Sequence, residues 1–481
     1  MGLYEIVFQW VLLALVTLVV AIRGQLTIFH PVTHYLAFHG MVFAMRPTLI
    51  YVGELNKVWD YMEFHPSGEL LTEALQITSA CLIVFVVAFS LACPSQRIFK
   101  MPRFADLTGG EKRALWMTIG LLAPLGLYSV FGANMSGEMT ASGVYVMTGT
   151  SGYLNDAQRV LIPVCILVAW YFKWRIFSLI PLVVFLGYRF SQGWGRWTIL
   201  LTMVAIFLVY MWDKRRTWFK GKDMILAGVV GTGIAVGFHE LGKNRNAGQE
   251  WMRSVMEDTT IEKAYKRGMT SVTLTKDPTK DAEFLKKIDG LDFANFDFLV
   301  YIMDKVPEET GKYSQGVQHL QLFTEPIPRG LWKGKPIGPP VPYFDLNDYG
   351  NFIGLTVSIL GDGWITGGLP GALFNVLMAA VALATLYRFF LAHQTSPFVV
   401  FPYLIFCAML VQFFRDGSLV AMLKFILFTI ALPFSMWWFF AKVLLPTPEL
   451  RPIAEEADEA PAKPVSRARP RRRPVRELAA R

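Results

Sequence analysis

The residues best suited to hold a multiply charged anion in this chain are five arginines: Arg46, Arg189, Arg196, Arg329 and Arg415. Four lie inside or at the ends of strongly apolar stretches, and Arg329 stands in the polar run "TEPIPRGLWKGKP" (324–336). A guanidinium within hydrocarbon costs about 2.5–3.5 kcal/mol or more unless it snorkels or finds a partner. Each arginine therefore has two readings. It can pair with a local acid such as Asp416, Asp362 or Glu325, or it can share in gripping a bound anion. Guanidinium forks match phosphate oxygens in shape, so four or five converging on one face favour a lipid-linked diphosphate.

Competing chemistries are weaker. "GLWKGKP" (330–336) has its glycines too close for a phosphate loop, with Pro336 where Ser or Thr belongs. No HExxH, G-x-S-x-G or CxxC occurs. His30, His34 and His39 surround Pro31 and a weak span, a spacing that suits interfacial histidines better than metal ligands. Gly233 and Gly237 read as a close helix contact. Cys81, Cys93, Cys165 and Cys407 all fall in apolar runs and read as packing residues.

What positions these groups is a membrane. Hydrophobic residues make up 53% of the chain and charged residues only 17%, with a mean hydropathy of +0.39, too apolar for a soluble protein of this length. Apolar runs long enough to cross about 30 Å of hydrocarbon recur at 3–23, 33–52, 70–93, 114–132, 156–172, 174–190, 195–212, 223–240, 367–387, 396–414 and 419–445. The fold expected is all-α: a polytopic transmembrane helical bundle of about eleven spans with one large external loop. The first run, without a cleavage site, reads as a retained helix.

Lys and Arg in the short loops set the orientation. "PSQRIFKMPRFADLTGGEKR" (94–113) and "DKRRTWFKGK" (213–222) are basic and expected inside, whereas 132–152 has no Lys or Arg and is expected outside. One parity satisfies every short loop, and it puts Arg46, Arg189, Arg196 and Arg415 toward the outer face. The units expected are helices in 1–240, an extracytoplasmic loop over 241–366, helices again in 367–446 and a disordered basic cytoplasmic tail over 447–481. Within the loop, helical pieces are expected at 243–268, 279–288 and 292–305, followed by a proline-stiffened return. The formal net charge of +9 is explained by topology and anionic lipids, so no nucleic-acid partner is expected.

"YSQGVQHLQLFTEPIPRGLWKGKP" (313–336) resembles the external-loop signature of Wzy-type polysaccharide polymerases through Tyr313, Gly316, Pro328, Arg329, Trp332, Lys335 and Pro336. Lys333 departs from that signature, which often has proline there. "HPVTHYLAFHGMVFAMRP" (30–47), "FSQGWGRWTILL" (190–201), "SILGDGWITGGLPGALF" (358–374) and "FFRDGSLVAML" (413–423) resemble further family elements. Asp362 takes a position where Glu is common, and Asp416 separates Arg415 from Gly417. The resemblance covers most of 25–440.

It implies a bacterial inner-membrane glycosyltransferase. Such an enzyme moves a growing glycan from one polyprenyl-diphosphate carrier onto another carrier-linked repeat unit at the periplasmic face, without a nucleotide sugar or other cofactor. A chain-length regulator and a flippase of the same pathway are the partners implied. Fixed arginines facing the leaving diphosphate would stabilise its charge without a metal, and Arg196, Arg329 and Arg415 are the candidates, with Arg46, Arg189 and Lys335 as further binding groups. Asp362 leads the candidates for a general base, ahead of Asp416, Glu325 and His319. Trp332 and Tyr313 have faces that stack on sugars or pack the loop. Two other readings stay open: an O-antigen ligase of similar layout, and a lipid-sugar transporter or flippase.

Overall fold

The computed structural model describes residues 2–53, 64–94, 106–131, 156–191, 196–218, 294–324, 356–417 and 419–445, together with two short strands and a few isolated positions. The expected segments at 223–240, 243–268, 279–288 and 447–481 lie outside the described residues. Among the described residues, six helices are long and apolar enough to cross a membrane: Leu3–Ile22, Gly68–Ala92, Gly109–Val130, Ser358–Ala392, Pro397–Asp416 and Leu427–Leu444. Three shorter apolar helices cover Ala157–Tyr171, Ile176–Arg189 and Thr198–Asp213. The architecture is helical, and its several apolar helices are compatible with a membrane protein.

In chain order the helices are α1 (Leu3–Ile22), α2 (Pro31–His39), α3 (Arg46–Val52), α4 (Gly68–Ala92) and α5 (Gly109–Phe131). A wide helical turn, Gly40–Met45, joins α2 to α3, so 31–52 is helical throughout. Next come α6 (Leu161–Tyr171), α7 (Ile180–Ser191), α8 (Arg196–Asp213), α9 (Asn295–Lys305) and α10 (Val317–Thr324). The last four are α11 (Ser358–Ala392), α12 (Pro397–Asp416), α13 (Leu419–Ile426) and α14 (Leu432–Phe439). Between α5 and α6, Gly137–Met139 pairs antiparallel with Tyr145–Met147, Gly137 opposite Met147. This small hairpin is the departure from an all-helical expectation.

Local sequence explains the helix ends. Ser67 accepts from the Leu70 N–H at 3.1 Å to cap α4, and Thr108 with Glu111 forms a reciprocal capping box before α5. α12 ends at Gly417, whose φ of 67° suits a residue without a side chain. In the middle of α1, Gln9 donates to Thr78 Oγ1 at 2.7 Å and Ser79 Oγ at 2.8 Å on α4, a buried polar bond between helices of the kind that holds bundles together in lipid.

α9 does not stand clear of the bundle as an external piece would. Residues 295–303 are all buried, and the helix packs on α11 and α4. The loop range 241–366 likewise contains helical residues at its end, because α11 starts at Ser358. α11 is two helices meeting at Gly367 and Gly368, the latter at φ 64° and ψ −146°. Pro370 restarts the helix without needing a backbone N–H partner.

The bend at this break is sharp. A straight helix separates residues eight apart by about 12 Å, yet a Cβ on Gly371 would meet the Gly363 carbonyl oxygen at 2.2 Å. Glycine at both positions lets the two halves touch backbone to backbone.

Candidate functional site

The break in α11 builds a buried polar cluster around Asp362, which is 1% exposed. Asn375, from the second half of α11, donates to Asp362 Oδ2 at 3.0 Å. Gln318 of α10 donates to Asp362 Oδ1 at 3.4 Å and to Thr366 Oγ1 at 2.8 Å. His319 Nε2 lies 3.4 Å from Asp362 Oδ2, an ion pair only when the ring is protonated, and among the described residues this nitrogen has no hydrogen-bond partner. The breaking helix leaves carbonyls without intrahelical donors. The Ser314 N–H reaches Ile365 O at 2.9 Å and the Gln315 N–H reaches Thr366 O at 3.0 Å, so the segment before α10 is fastened to the break. Tyr313 lies against Gly368: a Cβ there would come within 2.9 Å of the tyrosine hydroxyl.

Three expected site residues, Tyr313, His319 and Asp362, thus share one cluster although two are on one side of the return loop and one on the other. Their exposures divide the labour. Asp362 is enclosed with both oxygens approached by neighbours, whereas the His319 side chain is 31% exposed. The imidazole is the group that a substrate can reach, and the carboxylate stands behind it. Burial lowers the His319 pKa, because it disfavours the charged ring. Of the pair, His319 is the accessible group and Asp362 the enclosed one.

Arg46 and Arg415 are linked through α9. Arg46 Nε and Nη2 donate to Asp297 Oδ2 and Oδ1 at 2.9 and 3.2 Å, with the side chains 1% and 0% exposed. Trp59 Nε1 donates to the Asp297 carbonyl at 2.9 Å. The fork of Arg46 therefore faces inward to α9, so its expected place on an open anion-binding face gives way to an internal ion pair. Two residues before Asp297, Asn295 donates to Thr356 O at 2.7 Å and Arg415 O at 3.0 Å. The end of α12 thereby sits beside the start of α11, and a Cβ on Gly417 would strike Ser358 O at 2.1 Å. Arg415 Nη1 donates to Asp416 Oδ1 at 3.1 Å, and Gln412 donates to Asp416 Oδ2 at 3.1 Å. This is the local pairing weighed for Asp416.

A second basic group, Arg159 and Arg189, has its own local partners. Arg189, 5% exposed, donates to Gln158 Oε1 at 2.8 Å, and the Gln158 N–H reaches Ser129 Oγ at 3.0 Å. Arg159 pairs with Asp156 at 3.1 Å and lies 3.5 Å over the Phe425 ring of α13, which follows Arg415 in the chain. Arg196 opens α8, next along from α7, and its side chain lies outside the described residues. So do Glu325, Arg329 and Lys335. Trp332 is 38% exposed.

Asp297, Gln318, Asn375 and Arg159 are the participants that sequence reading missed. Asp297 carried a usable signal, an acid inside the apolar run "DFANFDFLVYIMDK" (292–305). The other three had none. The three early histidines face separate surroundings: His34 Nε2 contacts Ile28 O at 2.9 Å, His39 Nε2 contacts Gln9 Oε1 at 3.3 Å, and His30 lies between Phe89 and Tyr387.

The fold and site define a helical, membrane-compatible protein with an acid–imidazole cluster at a broken helix, an internal Arg46–Asp297 pair and an Arg415–Asp416 pair. No family model, no curated protein and no solved structure matches the chain.

Proposed function

We propose that this protein is a membrane glycosyltransferase of the Wzy type, polymerising polyprenyl-diphosphate-linked repeat units into a surface polysaccharide. The observation that carries the reading is the convergence of Tyr313, His319 and Asp362, with Arg415 held through Asn295 near the start of the helix that bears Asp362. In this reading about eleven spans cross the inner membrane: the six long helices, the three shorter ones, 31–52 and 223–240. The connection 241–366 faces the periplasm and the basic tail 447–481 faces the cytoplasm.

His319 takes the proton of the attacking sugar hydroxyl while Asp362 steadies the imidazolium that forms. Arg415, Arg196 and Arg329 face the departing diphosphate, and Arg189 with Arg159 line the same end. Trp332, Tyr313, Lys335 and Glu325 complete the contacts to the glycan. Arg46 acts through Asp297 as a positioning residue.

The test is reconstitution of the purified protein with a lipid-diphosphate-linked repeat unit, read as a ladder on a gel. The wild type should extend the unit. His319→Ala and Arg329→Ala should leave single units while the folded protein is retained. Normal ladders from both variants would sink the assignment. Transfer of finished polymer to a lipid core, without extension, would point to the ligase reading. The break at Gly367–Gly368 also suits a carrier, because transporters use interrupted helices at their binding sites. Movement of the lipid-linked unit across vesicles without elongation would support that alternative.

A further inference from the structure

α10 wears its polarity inside out. Gln318 is 2% exposed and turns toward Asp362, whereas Val317, Leu320 and Phe323 are 44%, 61% and 76% exposed. These three positions recur every third residue and share one helix face. A helix surrounded by water buries its apolar face and presents its polar one, so this face suits an apolar medium. Beyond the helix, Ile327 and Trp332 are 39% and 38% exposed, and tryptophan concentrates at membrane–water boundaries. A candidate span follows the helix that α10 touches. α10 packs on α13, which leads directly into the helical turn Leu427–Ala431 and the span Leu427–Leu444, where Leu427 is itself 37% exposed.

We infer that α10 lies in the membrane interface, with Val317, Leu320 and Phe323 inserted among the acyl chains of bilayer lipid. Lipid is therefore the partner of this face, and the wall of the His319–Asp362 cluster is seated at headgroup depth rather than in a domain standing clear in water. The inference rests on the membrane reading of the bundle but not on glycan transfer, so the two can fail separately.

The native cysteines favour a direct test, because Cys81, Cys93, Cys165 and Cys407 are only 0–3% exposed. A nitroxide label can then be placed selectively on Leu320→Cys and on Phe323→Cys in the full-length protein, reconstituted in phosphatidylcholine–phosphatidylglycerol vesicles. Collision of the label with oxygen, which concentrates in hydrocarbon, is compared with collision with a water-soluble nickel chelate. Val183→Cys, 64% exposed on a short apolar helix, serves as the lipid reference, and Glu308→Cys as the water reference. Labels at 320 and 323 should resemble the Val183 label, with oxygen dominating. Dominance of the nickel chelate would place α10 in water and overturn the inference. Protection from both reagents would mean that protein covers the face, and would overturn it equally.

Discussion

Replacing Arg46 with methionine should destabilise the protein by about 3 kcal/mol, the lower end of what breaking a buried ion pair costs. Both side chains are at most 1% exposed, and the contact uses both nitrogens of one fork edge and both carboxylate oxygens. The lower end applies because Asp297 has an escape. Burial is the larger influence on its carboxyl and pushes its pKa above the usual range, with Arg46 pulling the other way. Once the arginine is gone, the acid takes up a proton rather than remain a naked charge. Asp297→Leu should cost more, since Arg46 stays cationic and loses its bidentate partner. Making both changes removes both charges and leaves apolar side chains in the gap, a swap that is often neutral or stabilising. The double variant should then be no less stable than either single one, so that the two losses fall short of adding by about 3 kcal/mol or more.

Unfolding free energies from SDS titration of the four proteins would measure that coupling, with thermal midpoints at one scan rate as a check. Single losses below about 1 kcal/mol that simply add would refute the anchoring role, since exposed pairs behave that way. Activity then separates anchoring from substrate contact. A stable double variant that still elongates glycan leaves Arg46 a positioning residue, whereas a stable but inactive one returns it to the anion site.

Two further outcomes follow from the geometry. Gly417→Ala should destabilise the junction of α12 with α11 by roughly 1–3 kcal/mol, because φ is 67° and the new Cβ would sit 2.1 Å from Ser358 O; an unchanged midpoint would mean that the close approach is absent. For His319, burial lowers the folded pKa below the ordinary value of 6.5, so the unfolded chain binds the proton more readily. Stability should be complete above about pH 6.5 and decline as pH falls beneath it. His319→Gln should flatten that decline, and an identical pH profile in the variant would show that another group is responsible.

Much of the helical layout was legible in the sequence because it depends on local quantities. Runs of apolar residues about the thickness of a bilayer can be read directly from the chain, and the caps at Ser67 and Thr108 and the stop at Gly417, which the structure shows, are equally local. The types of residue at the site were legible too, since arginines and acids beside oily stretches are costly without partners. Partnership was another matter. Arg46 meets Asp297 across 251 positions of sequence, and His319 stands beside Asp362 only because glycines let α11 double back on itself. The burial of α9 within the bundle and the outward apolar face of α10 were likewise decided by packing. Composition dictates which groups must be satisfied, but which group satisfies which depends on distances through space, and those arise only when the helices assemble.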